Sequence, residues 1–295
     1  MNEEKGKWIS LISGCVILLL LGLIYAWSVF RGPLVEIFTE WTRTEISLTF
    51  TISIVMFCCG GLISGKLMQY LKVRSVVRIS AGFLFIGFCL LSLLLDEKSP
   101  DLSRIFLYIF YGVFCGLGVG LSYNSIITGV TRHFPGKTGR ISGILLMCFG
   151  VGGLILGSFV TFMYKQIGII PTFAACGILI VIIMAVCSFF LKDPPPSDRS
   201  TADASRSDKD EGVDNNNIIA TELPDRVNYT LAQTLKTATF WFFCIWLIAL
   251  GVCGLMIINS AAVIAVTFGA PEIMGLIVSV FNGGGRVVIG FVLDK

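Results

Sequence analysis

The sequence predicts an all-α protein that crosses a membrane several times. Hydrophobic residues make up 55% of the chain, charged residues 14%, and the mean hydropathy is +0.85. A chain of 295 residues cannot bury so much apolar surface in a water-soluble core. Hydrocarbon leaves backbone polar groups without water, and the long apolar runs show no two-residue alternation. We therefore expect the spans to be helices and not barrel strands.

Each predicted span is long enough to cross a bilayer core of roughly 30 Å, which needs about 20 helical residues. The eight apolar runs occupy residues 9–30, 46–66, 76–95, 105–130, 141–163, 169–191, 240–264 and 272–293. The first run follows Lys5 and Lys7 as a signal peptide would. It is too long for one and lacks a small-residue cleavage site, so we expect it to remain as a helix.

The composition divides the chain into three predicted parts. Residues 1–191 predict a bundle of six spans, and residues 240–295 contain two more. Between them, residues 192–239 contain three successive prolines at 194–196 and are rich in Ser, Asp and Asn. Such a segment cannot bury enough apolar surface to offset its ordering entropy. We expect a largely disordered cytoplasmic linker with a short amphipathic end at 231–236.

The distribution of Lys and Arg in the short loops predicts the orientation. Nine basic residues mark one side: Lys5, Lys7, Lys66, Lys72, Arg74, Arg78, Arg132, Lys137 and Arg140. Five mark the other: Arg31, Arg43, Lys98, Arg104 and Lys165. We therefore expect the N-terminus and the long linker in the cytoplasm, and a multi-pass protein of the plasma (inner) membrane.

The pattern favours no cofactor and no nucleic-acid partner. All ten cysteines fall inside predicted spans, as small packing residues do, and His133 is the single histidine. The sequence has no G-x-x-x-x-G-K-[ST] loop for a nucleotide, and its net charge is only +3. No nucleophile, base and third group can be assembled from the spans, so we expect no enzyme. Any energy would come from gradients, through proton or counter-anion coupling.

Two segments of the chain predict an internal duplication. Gly61–Tyr70 reads GLISGKLMQY and Arg286–Lys295 reads RVVIGFVLDK. Aligning them places Gly65 on Gly290, with a polar residue four positions later at Gln69 and Asp294. Together with the six-span half and the linker, this echo indicates two parallel repeats.

Several motifs resemble the oxalate/formate antiporter family of the major facilitator superfamily. The matching segments are Tyr25–Phe30 (YAWSVF), Gly32–Leu34 (GPL), Thr44–Phe50 (TEISLTF), Gly116–Ser125 (GLGVGLSYNS), His133–Lys137 (HFPGK), Gly139–Gly143 (GRISG) and Tyr229–Phe240. The resemblance implies a major-facilitator-type bundle with six helices in each half. This chain then supplies the six-helix N-terminal half and two helices of the second half, and we expect it to be a truncated form that does not transport alone.

The resemblance also implies functional positions. Members of this family bind small carboxylates through an arginine of the eighth helix, here Arg286, and a lysine of the eleventh, which would lie beyond Lys295. The loop after the second helix forms a cytoplasmic gate latch in the superfamily. Gly65 and Arg74 match its pattern, but Gln69 stands where the pattern has aspartate. The repeat predicts Gly290 and Asp294 as the corresponding gating positions.

The free-energy cost of burying a charge in the membrane indicates Arg286 as a functional residue. It lies seven residues before the last apolar run ends, roughly 10 Å of helix. An arginine at such depth should face a water-filled cavity or an anion, and its fork of donors suits a carboxylate. Asn282, four residues earlier on the same face, could add a hydrogen bond. The alternative is a structural charge at the cytoplasmic edge, paired with Asp294.

Three further polar side chains are candidates for the substrate cavity. Tyr123 and Asn124 lie deep in the fourth run, where hydrocarbon would penalise their polar groups. Tyr25 could form part of an aromatic box around a substrate, or belong to the aromatic belt at the membrane surface. For Trp27 we favour the belt.

These patterns predict a secondary transporter of small organic anions, mono- or dicarboxylates such as oxalate, formate or lactate. Antiport and proton symport both remain open. The alternatives are a carrier of another substrate class, and a non-transporting membrane receptor or scaffold that acts through the long linker.

Overall fold

The computed structural model describes residues 2–193, 231–270 and 273–294. Within these ranges the chain forms helices and turns without a strand, and the all-α prediction is confirmed. Most of the predicted linker, residues 194–230, lies outside the described residues. Its amphipathic end forms one helical turn, Leu231–Thr234.

The eight predicted runs correspond to eight helical spans in the described residues. They are α1 (Asn2–Leu21, a 3-10 turn Gly22–Ala26, and Trp27–Ile37), α2 (Arg43–Leu67), α3 (Val73–Leu94), α4 (Pro100–Phe106, a π-helical stretch Leu107–Cys115, and Gly116–Thr131), α5 (Thr138–Ile167), α6 (Ile169–Phe190), α7 (Ala238–Thr267) and α8 (Ile273–Leu293). The first six are long and apolar enough to cross a membrane. The last two contribute the shorter described apolar stretches Ala238–Gly254 and Val280–Leu293.

Polar residues fix the helix ends at the predicted outer surface. The Glu45 backbone N–H donates to the Thr42 hydroxyl at 3.3 Å, and the Thr42 backbone N–H donates to the Glu45 carboxylate at 2.8 Å. This capping box satisfies two backbone donors that the first turn of α2 leaves free. Arg104 at the start of α4 binds both Glu45 and Asp101. The outer ends of α2 and α4 are thereby joined.

The core of the first six helices contains a cluster of aromatic side chains, and the outer surface of the bundle is apolar. Trp27 is only 2% exposed, and its ring centroid lies 4.6 Å from that of Tyr111. The belt prediction for Trp27 is therefore wrong, because the residue packs inside the bundle. Large side chains such as Leu62 and Leu93, 79% and 78% exposed, point outward, as a lipid-facing surface requires.

The chain divides into two compact units. One comprises Met1–Pro195 and Ala261–Lys295, and so combines α1–α6 with α8. The other, Pro196–Ser260, contains most of α7, where the Trp241 indole donates to the Leu235 carbonyl at 2.9 Å. In the first unit α8 packs along α5, and this pairing positions the candidate site.

Candidate functional site

Four aromatic side chains from four helices meet inside the first unit. They are Tyr25 of α1, Phe57 of α2, Tyr123 of α4 and Phe149 of α5, which we call the aromatic box. The Phe149 ring centroid lies 5.0 Å from that of Tyr25 and 4.8 Å from that of Tyr123. Phe57 and Tyr123 are 5.0 Å apart. All three pairs have the edge-to-face geometry that aromatic rings prefer.

Glycines bring these helices close enough for the rings to touch. A Cβ on Gly22 of α1 would collide with the Phe149 carbonyl oxygen, and one on Gly152 of α5 would collide with the Leu19 carbonyl. Between α2 and α4, a Cβ on Gly120 would collide with the Phe57 carbonyl. Small residues at membrane helix interfaces allow this backbone approach. The box therefore depends on glycines that lie outside it.

Arg286 extends from α8 toward the same region. It is half-buried, and its Nη1 donates to the Leu146 carbonyl at 3.1 Å, one helical turn before Phe149. Phe149, one turn after Leu146 on α5, contacts the rings of both Tyr25 and Tyr123, so Arg286 lies beside this group of rings. The structure thus brings three of the predicted residues together. Asn282 is half-buried one turn earlier on α8.

Asn124 holds two helices together. Its amide nitrogen donates to the Gly61 carbonyl of α2 at 2.9 Å. A Cβ on Gly65 would lie 3.7 Å from the same nitrogen, so Gly65 belongs to this α2–α4 contact. The amide oxygen and the second N–H of Asn124 are not used in this bond, and its place in the substrate site stays a prediction.

Asp294 fastens the end of α8 to the start of α5. Its carboxylate accepts hydrogen bonds from the backbone N–H groups of Gly139 and Arg140, both at 2.8 Å. The Arg140 Nε lies 3.6 Å from the same carboxylate, whose side chain is only 6% exposed. These N–H groups belong to the first turn of α5, which has no intrahelical acceptors for them. Asp294 therefore caps α5 from another helix and is not the partner of Arg286.

The other predicted gating residues differ in their contacts. At Gly290, α8 crosses α5 so closely that a Cβ at this position would collide with the Gly139 carbonyl oxygen. Arg74 at the start of α3 is half-buried, and its Nε has no hydrogen-bond partner among the described residues.

The sequence patterns did not indicate Phe57, Phe149 or Arg140 as parts of the site. Phenylalanines inside apolar runs carry no signal of their own, because most of them face lipid or core. Arg140 was assigned to a basic loop, and only the position of Asp294 on α8 shows its role.

Comparisons with known proteins agree with this architecture. The sequence profile of the Major Facilitator Superfamily matches residues 12–295. The uncharacterized MFS-type transporter YhjX of Escherichia coli (strain K12) is 23% identical over 299 residues, which cover 100% of this chain and 68% of YhjX. The oxalate:formate antiporter of Oxalobacter formigenes is 20% identical over 294 residues, covering 98% of this chain and 64% of that protein.

A solved structure shares the fold. The proton:xylose symporter XylE, bound to 6-bromo-6-deoxy-D-glucose, superimposes with a TM-score of 0.57 at 15% identity. The match covers 65% of this chain and 46% of XylE. The chain thus spans about two thirds of the length of the two relatives and less than half of XylE. Since the superfamily profile extends over nearly all of its residues, the chain belongs to the Major Facilitator Superfamily.

Proposed function

We propose that this protein is a secondary transporter of small organic anions, mono- or dicarboxylates such as oxalate, formate or lactate. It would act by alternating access in the plasma (inner) membrane, with a counter-anion or a proton as the coupled species. The observation that carries the proposal is the guanidinium of Arg286 beside the aromatic box. The name of the Oxalobacter formigenes relative, an oxalate:formate antiporter, supports the same substrate class.

Arg286 has donors to offer a carboxylate. A guanidinium carries five N–H groups, and the Leu146 carbonyl accepts from one nitrogen, Nη1. A carboxylate can bind the remaining donors in a bidentate pair, which fixes its orientation as well as its charge. The arginine itself costs about 2.5–3.5 kcal/mol at the centre of a membrane helix on insertion scales. A substrate anion would offset part of that cost.

The aromatic box suits a flat anion. The edges of aromatic rings are electropositive, and carboxylates are planar. Tyr25 and Tyr123 also carry hydroxyls, and Asn282 lies one turn before Arg286 on α8. We assign these three residues to substrate contact beside Arg286.

The α5–α8 pair connects this site to the predicted cytoplasmic gate. Arg286 and Asp294 lie eight residues apart on α8, a rise of about 12 Å, and both bind α5. A carboxylate that takes Arg286 away from the Leu146 carbonyl would weaken the α5–α8 contact while the Asp294 cap still holds. Substrate binding and gate opening would then act on the same helix pair, as rocking of two repeats requires.

The test is uptake of labelled oxalate, formate and lactate by cells that express the full-length gene product, with and without Arg286→Lys. Lysine keeps the charge but loses the planar fork, so we expect uptake to fall at least tenfold, which corresponds to about 1.4 kcal/mol. Arg78→Lys is the matched control, because Arg78 lies over the Phe189 ring, away from the box. The proposal fails if the unmodified protein takes up no carboxylate, or if Arg286→Lys transports as well as the control.

A further inference from the structure

A basic cavity lies in the first unit where the α2–α3 loop, the α4–α5 loop and the residues after α6 meet. Its volume is about 280 Å³, and it is open to the surface. Its charged lining consists of Lys72, Arg132 and Asp193, and the segment from Met68 to Val73 forms one wall. A water molecule takes up about 30 Å³ in the liquid. The cavity therefore has room for a phosphate group.

The charges around the cavity favour an anionic ligand. Lys72 and Arg132 bring two positive charges, whereas Asp193 brings one negative charge. The Lys72 ammonium lies 3.7 Å from Oδ2 of Asp193, and the lysine side chain is 72% exposed. An ion pair with such exposure contributes little to stability, so a phosphate can replace the carboxylate beside Lys72. Arginine can also bind a phosphate through two parallel N–H groups.

The start of α3 adds a further positive potential. Lys72 is the N-cap of this 22-residue helix, and Val73 is its first residue. No side chain caps this end, and the first turn contains no acidic residue. The first N–H groups of a helix have no intrahelical acceptor, and this end of the helix dipole is positive. An anion in the cavity is therefore stabilised by α3 as well as by the two basic side chains.

Apolar side chains on the same cavity favour a lipid over a soluble anion. Tyr70 and Leu71 line the cavity and are 78% and 40% exposed. They directly follow α2, which is long and apolar enough to span a membrane. Tyrosine at the end of a span is typical of the headgroup level of a bilayer. A phospholipid could thus place its phosphate in the cavity and its acyl chains along the apolar surface of the bundle.

We propose that this cavity binds the phosphate headgroup of an anionic phospholipid. Lys72 and Arg132 are its cationic ligands, and Asp193 competes with the phosphate for Lys72. Basic pockets between membrane helices bind headgroups of this class. The proposal is independent of the transport function, because none of these three residues belongs to the proposed substrate site.

Native mass spectrometry of the purified full-length protein tests the site with phosphatidylglycerol, and phosphatidylcholine of the same acyl chains is the zwitterionic comparison. We expect phosphatidylglycerol to bind more tightly, and the double variant Lys72→Gln, Arg132→Gln to raise its Kd about tenfold or more. The matched control is Lys66→Gln, Lys137→Gln, which removes the same charge from two exposed lysines on the same predicted side. Neither lysine lines the cavity, so the Kd should change less than about twofold.

Asp193→Asn should change the affinity in the opposite direction. Without the competing carboxylate, the Kd for phosphatidylglycerol should fall about threefold. A damaged fold would weaken binding, so tighter binding cannot result from misfolding. Inorganic phosphate at the concentration of the lipid should not displace it, because phosphate has no acyl chains to bind the apolar surface.

Three results would overturn the site. They are equal binding of the two lipids, equal phosphatidylglycerol binding by the two double variants, and displacement of the lipid by inorganic phosphate, which would assign the cavity to a soluble anion. Thermal unfolding checks the fold of each variant. If Lys72→Gln, Arg132→Gln unfolds, Asp193→Asn decides: tighter phosphatidylglycerol binding supports the site, and unchanged or weaker binding overturns it.

Discussion

Polar side chains within the helices find backbone partners on neighbouring helices. Asn124 donates to the Gly61 carbonyl inside the first six helices, whereas Arg286 donates to the Leu146 carbonyl from α8. Asn124 thus joins two helices of one half, and Arg286 joins helices of the two predicted halves. This difference predicts that the first residue serves stability and the second serves function.

At the residue scale, substitutions of Tyr123 test whether the aromatic box contributes to substrate binding. Tyr123→Ala removes a ring that contacts both Phe57 and Phe149, and each aromatic pair contributes about 0.5–1.5 kcal/mol. We expect the KM for carboxylate uptake to rise about tenfold, which corresponds to about 1.4 kcal/mol. Tyr123→Phe keeps the ring and loses only the hydroxyl, so its KM should rise less than that of the alanine variant. Equal uptake kinetics in the alanine and phenylalanine variants would remove the box from the site.

Asn124→Leu separates a packing role from a substrate role. Loss of its hydrogen bond to the Gly61 carbonyl should cost about 0.6–1.5 kcal/mol, the usual range for such bonds in membrane proteins and in water. We expect a lower melting temperature in detergent and an unchanged KM in the surviving folded protein. A large KM increase at unchanged melting temperature would instead assign Asn124 to the substrate.

At the scale of elements, glycines allow the close approach of α5 and α8. Another glycine of α8 lies away from this contact and can serve as the control. Gly290→Ala places a Cβ against the Gly139 carbonyl, whereas a Cβ on Gly284 meets nothing within 4 Å. Overpacking of this kind costs about 1–3 kcal/mol. We expect Gly290→Ala to lower the melting temperature by several degrees and Gly284→Ala to leave it unchanged or raise it, since alanine favours helix. Similar melting temperatures for the two variants would contradict the tight crossing.

Because Asp294 caps α5, we expect it to protect the amides at the N-terminus of α5 from hydrogen exchange. Asp294→Ala removes the acceptor for the Gly139 and Arg140 N–H groups, and such caps contribute about 0.5–2 kcal/mol. Hydrogen–deuterium exchange at these two amides should become faster. Asp193→Ala is the control, because its contact with Lys72 is 3.7 Å long and lies at the surface. Unchanged exchange in Asp294→Ala would show that the cap does not hold in solution.

At the scale of the whole molecule, hydrophobic length alone predicted the helices and their order. The observed helices extend a few residues beyond most of the apolar runs, because caps such as the Thr42–Glu45 box lie outside the hydrocarbon. Arg286 could be predicted because burial makes an isolated charge costly. The role of Phe149 and the contact of Asp294 with the start of α5 could not be predicted, because both depend on which helices are neighbours. The burial of Trp27 could not be predicted for the same reason.

Alternating access predicts that α5 and α8 separate at their predicted cytoplasmic ends during each cycle, while the first six helices move as one body. The Arg140 guanidinium lies 5.1 Å from the Phe291 ring centroid, so the double variant Arg140→Cys, Phe291→Cys should place two thiols within reach of a short, reducible thiol-to-thiol cross-linker. We expect the cross-linker to stop carboxylate uptake and reduction to restore it. The single variants measure any pairing with native cysteines.

A second pair provides the matched control within the six-helix half. The Trp8 and Phe134 ring centroids lie 5.4 Å apart, and the same cross-linker in Trp8→Cys, Phe134→Cys would link α1 to the loop before α5. Because both positions belong to the half that moves as one body, this cross-link should leave uptake intact. Full uptake with a mapped cross-link between positions 140 and 291 would exclude opening at α5–α8. Equal inhibition by both cross-links would mean that motion within the six-helix half is also required.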